Sequence, residues 1–221
     1  MKCMAFPLFA FLPLTAWAQT TQEIQVWTSV AGTAALNEES TGPSAWLDVH
    51  LRRSGANTVH IFRPGLGWRL GDAVSVWAGY GWIPTLPDEG DLQIENRFWQ
   101  QVIAKHSASR LGFMSRTRFE QRLADSGDDL GLRVRQFGRV GWDWRDDGRC
   151  GLVVWDELFL GLNETDWGAP AGLDQNRLFA GVFLKSGSRV RGELGYLSLF
   201  VDRDGGNTLG HVLSTTVFVS L

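Results

Sequence analysis

Residues 91–122, DLQIENRFWQQVIAKHSASRLGFMSRTRFEQR, decide the fold of this chain. Two segments of about 12 residues flank a short turn, and in both the residue character alternates with a period of two, as in β-strands. One face is mainly apolar and the other mainly polar: Leu92, Ile94, Phe98, Val102 and Ala104 oppose Gln93, Glu95, Arg97, Trp99 and Gln101, and Leu111, Phe113, Thr117 and Phe119 oppose Arg110, Arg116, Arg118, Glu120 and Arg122. Globular strands average about 5–6 residues. Longer strands with this segregation are typical of a wall between lipid and a polar lumen.

Length and composition agree with a single membrane barrel. The chain has 221 residues, which corresponds to one domain, and its net charge of −3 gives no basic excess for nucleic acid. It contains 11 Trp and 26 Gly. Tryptophan concentrates at membrane interfaces, and glycine is common where strands bend or pack closely. The mean hydropathy of −0.10 suits a barrel, because only half of its strand residues meet lipid.

The N-terminus has the pattern of a secretory signal peptide. Lys2 precedes an apolar stretch at residues 5–14, and Ala16-Trp17-Ala18 is a small-x-small cleavage site. We therefore predict a signal peptide at 1–18 and a barrel domain at 19–221; an uncleaved anchor helix is the alternative. Cleavage would remove Cys3 and leave Cys150 without a disulfide partner. No later segment is long and apolar enough for a transmembrane helix.

The same alternation recurs downstream and gives eleven candidate strands. The intervening connections alternate between short turns (71–72, 105–109, 144–148 and 186–188) and longer, acidic loops (84–90, 123–130, 161–174 and 202–207). Outer-membrane barrels have short periplasmic turns and longer external loops. Pro64 lies inside a candidate strand, where it cannot donate a ladder hydrogen bond, and it predicts a bulge.

The strand count is the open point of this prediction. Single-chain bacterial barrels have an even number of strands, so we predict an antiparallel up-and-down transmembrane β-barrel of ten strands, with twelve as the alternative. The weakly alternating segment 22–30 is then surplus. It would lie in the lumen, cap the periplasmic mouth, or pair beside a strand that the pattern does not reveal.

Two sets of residues carry the resemblance to a known family. One is the combination Glu95-x-Arg97-x-Trp99-Gln100-Gln101 with Arg116-x-Arg118-x-Glu120-x-Arg122; the other comprises Glu157-x-Phe159, Asn176-Arg177 and Gly195-Tyr196. From about Trp27 to Leu221 the chain resembles the bacterial outer-membrane barrels called domain of unknown function 2490. The resemblance implies an outer-membrane location and transfers no catalytic residue.

The C-terminus also resembles an outer-membrane sorting signal. Val217, Val219 and Leu221 alternate to the final position, although Phe is usual there. We therefore expect the barrel assembly machinery, outer-membrane lipid and lipopolysaccharide as partners; the oligomeric state is left open.

Alternation places a charged network in the predicted lumen. Its members are Glu95, Arg97, Arg116, Arg118, Glu120, Arg133, Arg135, Glu157, Arg177, Arg191 and Glu193. Arg and Glu on neighbouring strands form strong bidentate pairs, and the lumen of a small barrel is largely filled by side chains. The network either plugs the interior and fixes the register, or lines an anion-preferring pore or binding site. Five aromatic residues are expected as membrane-interface girdles: Trp68, Tyr80, Trp82, Trp142 and Tyr196.

Other functions have weaker support in the sequence. A lipid hydrolase would place Ser and His on the outer face, and His211 with Ser214 is the candidate pair, but no Ser, His and acid spacing emerges. The acidic loop 125–129 lacks a full calcium-loop pattern, so no metal and no cofactor is predicted. The long loops leave adhesion or binding as a third possibility.

Overall fold

The computed structural model describes residues 20–145, 147–203 and 206–221. The predicted signal peptide lies outside these residues. The described residues form eleven strands: β1 Thr20–Ala35, β2 Thr41–Arg53, β3 Asn57–Leu70, β4 Val74–Pro87, β5 Gln93–Ala108, β6 Leu111–Ala124, β7 Gly131–Asp143, β8 Cys150–Gly161, β9 Gly172–Ser186, β10 Val190–Val201 and β11 Asn207–Ser220. No helix in this part of the chain is long and apolar enough to cross a membrane.

The strands close into one barrel. Consecutive strands pair antiparallel, and β1 and β11 close the sheet by pairing parallel, with Trp27 opposite Ser214. The prediction of a closed β-barrel is confirmed, but ten strands is wrong and so is twelve. The segment treated as surplus is part of β1, which runs to Ala35 and occupies the wall between β2 and β11. If every neighbouring pair were antiparallel, the number of strands would have to be even. The single parallel pair, β1 with β11, allows eleven.

Strand parity separates the two faces of the wall. On β5, Phe98 is 50 % exposed and Val102 is 49 % exposed, whereas Trp99 between them is fully buried. Each strand presents at least one large exposed apolar side chain: Val26, Val49, Phe62, Val76, Phe98, Leu123, Trp142, Val154, Leu178, Leu194 and Leu213. The barrel therefore has an apolar outer surface and a mixed charged and aromatic interior, as the alternation predicts.

The two ends of the barrel differ less than the sequence suggests. The short-turn end carries the connections 36–40, 71–73, 109–110, 144–149 and 187–189, of two to six residues, together with Leu221. The long-loop end carries the connections 54–56, 88–92, 125–130, 162–171 and 202–206, of three to ten residues. Only the connection 162–171 is clearly longer than those at the opposite end.

The predicted bulge at Pro64 is wrong. Phe62 pairs with Trp82 and Gly65 with Gly79 in one unbroken register, so no extra residue is inserted. Proline removes one donor but does not require an additional residue. A register shift occurs instead between β8 and β9, where Phe159 pairs with Gln175 and the next residue, Leu160, pairs with Leu173.

Glycines on β3 and β4 leave the space in which the Trp99 side chain packs. A Cβ atom on Gly79 would lie 2.4 Å from Cζ2 of Trp99 and 2.3 Å from the carbonyl oxygen of Pro64. A Cβ atom on Gly65 would lie 2.6 Å from the same ring. The Trp99 ring thus packs against the backbone of β3 and β4, and its centroid lies 6.3 Å from that of Trp46 on β2.

Candidate functional site

The interior network is centred on Glu120 of β6, which is fully buried. One carboxylate oxygen accepts from Arg133 at 2.6 Å and the other from Arg135 at 2.6 Å, both on β7. Arg133 also donates to Asp174 at 2.7 Å, and Arg135 to Glu157 at 2.8 Å. Carboxylates and guanidiniums therefore alternate across four strands, so each of these buried charges lies beside charges of opposite sign. This arrangement offsets the cost of burial better than isolated pairs would.

Two smaller ion-pair groups lie toward the ends of the barrel. Near the long-loop end, Glu95 accepts from Arg97 at 2.7 Å and from Arg122 at 2.6 Å. Near the short-turn end, Glu193 pairs with Arg139 at 2.8 Å and with Arg191 at 2.9 Å. In both groups one carboxylate is shared by two guanidiniums.

The predicted lumen residues all lie on the inner face, and two of the remaining three, Arg116 and Arg177, have distinct partners. Arg116 donates to Glu157 at 2.6 Å. Arg177 lies 4.2 Å from the centroid of the buried Phe159 ring, which Arg135 also approaches at 4.4 Å. Aromatic faces attract cations, so Phe159 serves several guanidiniums at once.

Arg118 is the exception to the ion-pair pattern. Its Nε and Nη2 atoms donate at 2.9 and 2.7 Å to the amide oxygen of Gln101, and its guanidinium lies 4.6 Å from the Trp99 ring centroid. The closest approach to Glu120 is 3.7 Å. A neutral amide is thus the main partner of a fully buried cation.

Some members of the network were missing from the predicted set. Asp48 and Arg63 form a buried bidentate pair at 2.7 and 3.0 Å, and His50 lies 3.0 Å from the same guanidinium. Alternation in β2 and β3 already places these three side chains inward, so the same signal could have found them. Asp174 had no such signal, because the sequence prediction places it at the end of the loop 161–174. In the structure it lies in β9, the register shift leaves it without a paired residue on β8, and its carboxylate accepts from Arg133 in the interior.

The predicted girdle aromatics do not form two rings. Trp68 and Trp142 lie within two residues of the strand ends at the short-turn end, and both are exposed. Trp82 and Tyr196 are also exposed but lie further from their strand ends. Tyr80 is half-buried and donates its hydroxyl proton to Asn96. Their role as interface anchors stays a prediction.

The candidate hydrolase pair is not assembled. His211 lies 2.7 Å from the Tyr196 hydroxyl on the outer face, whereas Ser214 is buried on the inner face. Among the described residues, no group of three or more His, Cys, Asp and Glu side chains has the arrangement of a metal site.

Two loops at the long-loop end are joined by hydrogen bonds. The Asp166 carboxylate accepts the backbone N–H groups of Asp128 at 2.9 Å and Asp129 at 3.2 Å. Asp129 accepts the N–H of Asp166 at 2.8 Å, and Trp167 donates to the Asp129 carbonyl at 2.8 Å. The backbone N–H donors hold the pKa of Asp166 below its ordinary value of 3.8, because they stabilise the carboxylate.

The comparison with protein families agrees with the resemblance seen in the sequence. The profile of the family described as protein of unknown function DUF2490 matches residues 24–210. The chain belongs to this family. An uncharacterised protein of Methylorubrum extorquens is 37 % identical over 164 residues, which cover 72 % of this chain and 71 % of the relative. No solved structure matches the chain significantly.

Part of the family resemblance lies in the interior network, whereas Tyr196 of the same set is exposed on the outer face. Glu95, Arg97 and Trp99 come from β5, and Arg118 and Glu120 from the neighbouring β6. The motif on these two strands supplies two carboxylates, Glu95 and Glu120, that are each shared by two arginines, and the Trp99 ring that contacts Arg118.

Proposed function

We propose that this DUF2490 member is an outer-membrane protein whose barrel spans the bilayer and whose lumen is closed by its own side chains, so that its role is structural rather than that of an open channel. The observation that carries the proposal is the combination of an apolar outer wall with fully buried Arg118 and Glu120 side chains in the lumen. In a water-filled pore these charged side chains would be exposed.

The outer wall supports membrane insertion over a soluble barrel. Leu194 is 49 % exposed and Val182 is 37 % exposed, and similar residues surround the whole barrel. Soluble monomers rarely expose contiguous apolar patches above a few hundred Å². In a bilayer this apolar surface contacts lipid tails without a free-energy penalty. In water it would be unfavourably exposed, and the chains would associate to bury it.

A lysine substitution on the outer wall, compared with one in a loop, tests the membrane placement. In a bilayer, Leu194→Lys should lower the free energy of unfolding by about 2–4 kcal/mol, the cost of a lysine near the midplane of a barrel. In a soluble barrel the same substitution at an exposed position would cost almost nothing. The matched control is Leu162→Lys, since Leu162 is 54 % exposed and lies in a loop.

The measurement is urea unfolding of the three proteins in lipid vesicles, followed by tryptophan emission. Equal stability of Leu194→Lys and Leu162→Lys would remove the membrane proposal, as would a parent chain that stays a compact monomer in buffer without detergent.

A further inference from the structure

The buried polar atoms that lack a hydrogen-bond partner are almost all of one kind. Within the described residues these atoms are N–H groups of Arg, Trp and Gln side chains, together with the Ser44 hydroxyl. Carboxylate oxygens do not occur among them. Native interiors leave few polar groups unpaired, and a set consisting of donors indicates a missing acceptor.

Four of these donors belong to side chains in continuous contact. The Trp46 ring packs edge-on against Trp99, Arg118 lies over Trp99, and Arg118 donates twice to Gln101. The unpartnered atoms are the indole Nε1 of Trp46 and of Trp99, Nη1 of Arg118 and Nε2 of Gln101. Ser44, on the same face of β2 as Trp46, contributes a hydroxyl group.

The orientation of the Gln101 amide follows from its neighbour. Because Arg118 can only donate, the amide oxygen must face it. The Nε2 group of Gln101 therefore points away from Arg118 and needs an acceptor elsewhere. A rotated amide would place N–H groups against N–H groups and lose both hydrogen bonds.

Charge at this cluster is also unbalanced. Arg118 is fully buried, and the carboxylate nearest to it in the described contacts is Glu120, at 3.7 Å. That carboxylate already holds Arg133 and Arg135 at 2.6 Å. Because Glu120 is engaged by two short ion pairs and lies 3.7 Å from Arg118, the charge of Arg118 is under-compensated, which is costly in a low-dielectric interior.

A water molecule is a poor partner for these donors and for the Arg118 charge. A water molecule that accepts from Arg118 brings two protons that need acceptors, and among the described residues the Ser44 hydroxyl is the only buried, unpartnered side-chain group that can accept. The water would also leave the charge of Arg118 uncompensated. A monatomic anion accepts hydrogen bonds from several directions, donates none and supplies the missing charge. Indole, amide and guanidinium N–H groups are all suitable donors to it.

We infer that the cluster of Trp46, Trp99, Gln101 and Arg118 is a binding site for a small inorganic anion of halide size, held inside the barrel as a structural counterion. The inference concerns the interior alone, so it does not depend on whether the barrel resides in a membrane. Because the four unpartnered donor atoms are buried, the anion is taken up as the barrel folds.

The test uses the full chain refolded with bromide in place of gluconate at constant ionic strength. The unfolding midpoint of the parent protein should rise progressively with bromide concentration above the dissociation constant. Gln101→Glu should abolish this dependence and give a midpoint in gluconate at least as high as the parent's, because the new carboxylate pairs with Arg118 in the same shape and replaces the anion.

The matched control is Gln175→Glu. Gln175 also accepts from a lumen arginine, Arg177, at 2.8 Å, but it lies outside the cluster. It should retain the bromide dependence of the parent. In crystals grown with bromide, an anomalous peak should lie within hydrogen-bond distance of the Trp46 and Trp99 indole nitrogens.

Three results would overturn the inference. They are a parent midpoint that does not respond to bromide, an equal response in Gln101→Glu and the parent, and bromide crystals without an anomalous peak at the cluster. Each is independent of the lysine substitution on the outer wall, so failure of the anion site and failure of the membrane proposal can be told apart.

Discussion

Glu120 is the residue on which the interior depends most. Its two oxygens hold Arg133 and Arg135, and its side chain is fully buried. Removing one member of a buried ion-pair group is more damaging than losing an exposed pair, because the remaining charges stay buried without compensation. Arg118 is less central than the sequence suggests, since Gln101 rather than a carboxylate is its main partner.

Glu120→Gln should therefore lower the free energy of unfolding by about 3–5 kcal/mol, the range for breaking a buried pair. The control is Asp88→Asn, which breaks the Arg53–Asp88 pair, whose side chains are 51 % and 46 % exposed. Exposed pairs contribute about 0–1 kcal/mol. Urea unfolding of both variants checks the difference, and a loss below about 1 kcal/mol for Glu120→Gln would mean that water reaches the network.

At the scale of elements, the hydrogen-bonded loops 125–130 and 162–171 act as one unit. Their junction depends on the Asp166 carboxylate, whose pKa lies below 3.8 in the folded protein. A lowered pKa contributes stability that is fully present above the unfolded value and is lost as the pH falls through the folded value. The junction should therefore be insensitive to pH above about 5 and weaken in acid, as the pH falls below the unfolded value toward the lowered pKa of the folded protein.

Trp167 reports on this junction, because its indole N–H donates to Asp129 and its ring lies 4.8 Å from the Arg122 guanidinium. We expect its emission, taken as the difference between the parent and Trp167→Phe, to stay constant at neutral pH and to shift toward that of exposed tryptophan in acid. In Asp166→Asn the emission near neutral pH should already be shifted. A titration centred above pH 5 would contradict this account.

The pairing of β1 with β11 closes the barrel, and its parallel direction is directly testable. Thr28 lies opposite Thr215 on the outer face. In a Cys150→Ser background, Thr28→Cys with Thr215→Cys should cross-link under mild oxidation. Thr28→Cys with Val219→Cys should not, because Val219 pairs four residues further along, with Gly32. Cross-linking of the second pair alone would exclude the register described here.

For the whole molecule, the closed interior predicts the absence of an ion-conducting path. The parent protein, reconstituted into planar bilayers, should give no single-channel steps, while an open porin in the same bilayer should give them. Discrete conductance from the parent would require the Arg118 and Glu120 side chains to move aside and would favour the narrow-pore alternative.

The sequence identified the outward and inward faces of most strands correctly because alternation depends only on strand geometry. Arg191 illustrates this: its parity places it inward, and it lies 3.9 Å from the centroid of the Phe183 ring. Parity does not identify partners, since a side chain on the inner face can reach several strands. It therefore could not show that Arg118 pairs with Gln101, or that Glu157 serves both Arg116 and Arg135.

By itself, then, the sequence determined the closed β-sheet and the two faces of its wall, because these follow from local periodicity and from residue type, whereas the family followed from the resemblance of its motifs to known barrels. Only the tertiary structure decided the number of strands and the direction of closure, since both depend on pairing between residues nearly 190 positions apart, such as Ser29 and Thr216. It also decided the inward position of Asp174, because this residue lies in β9 beside a register shift and not in the predicted loop 161–174.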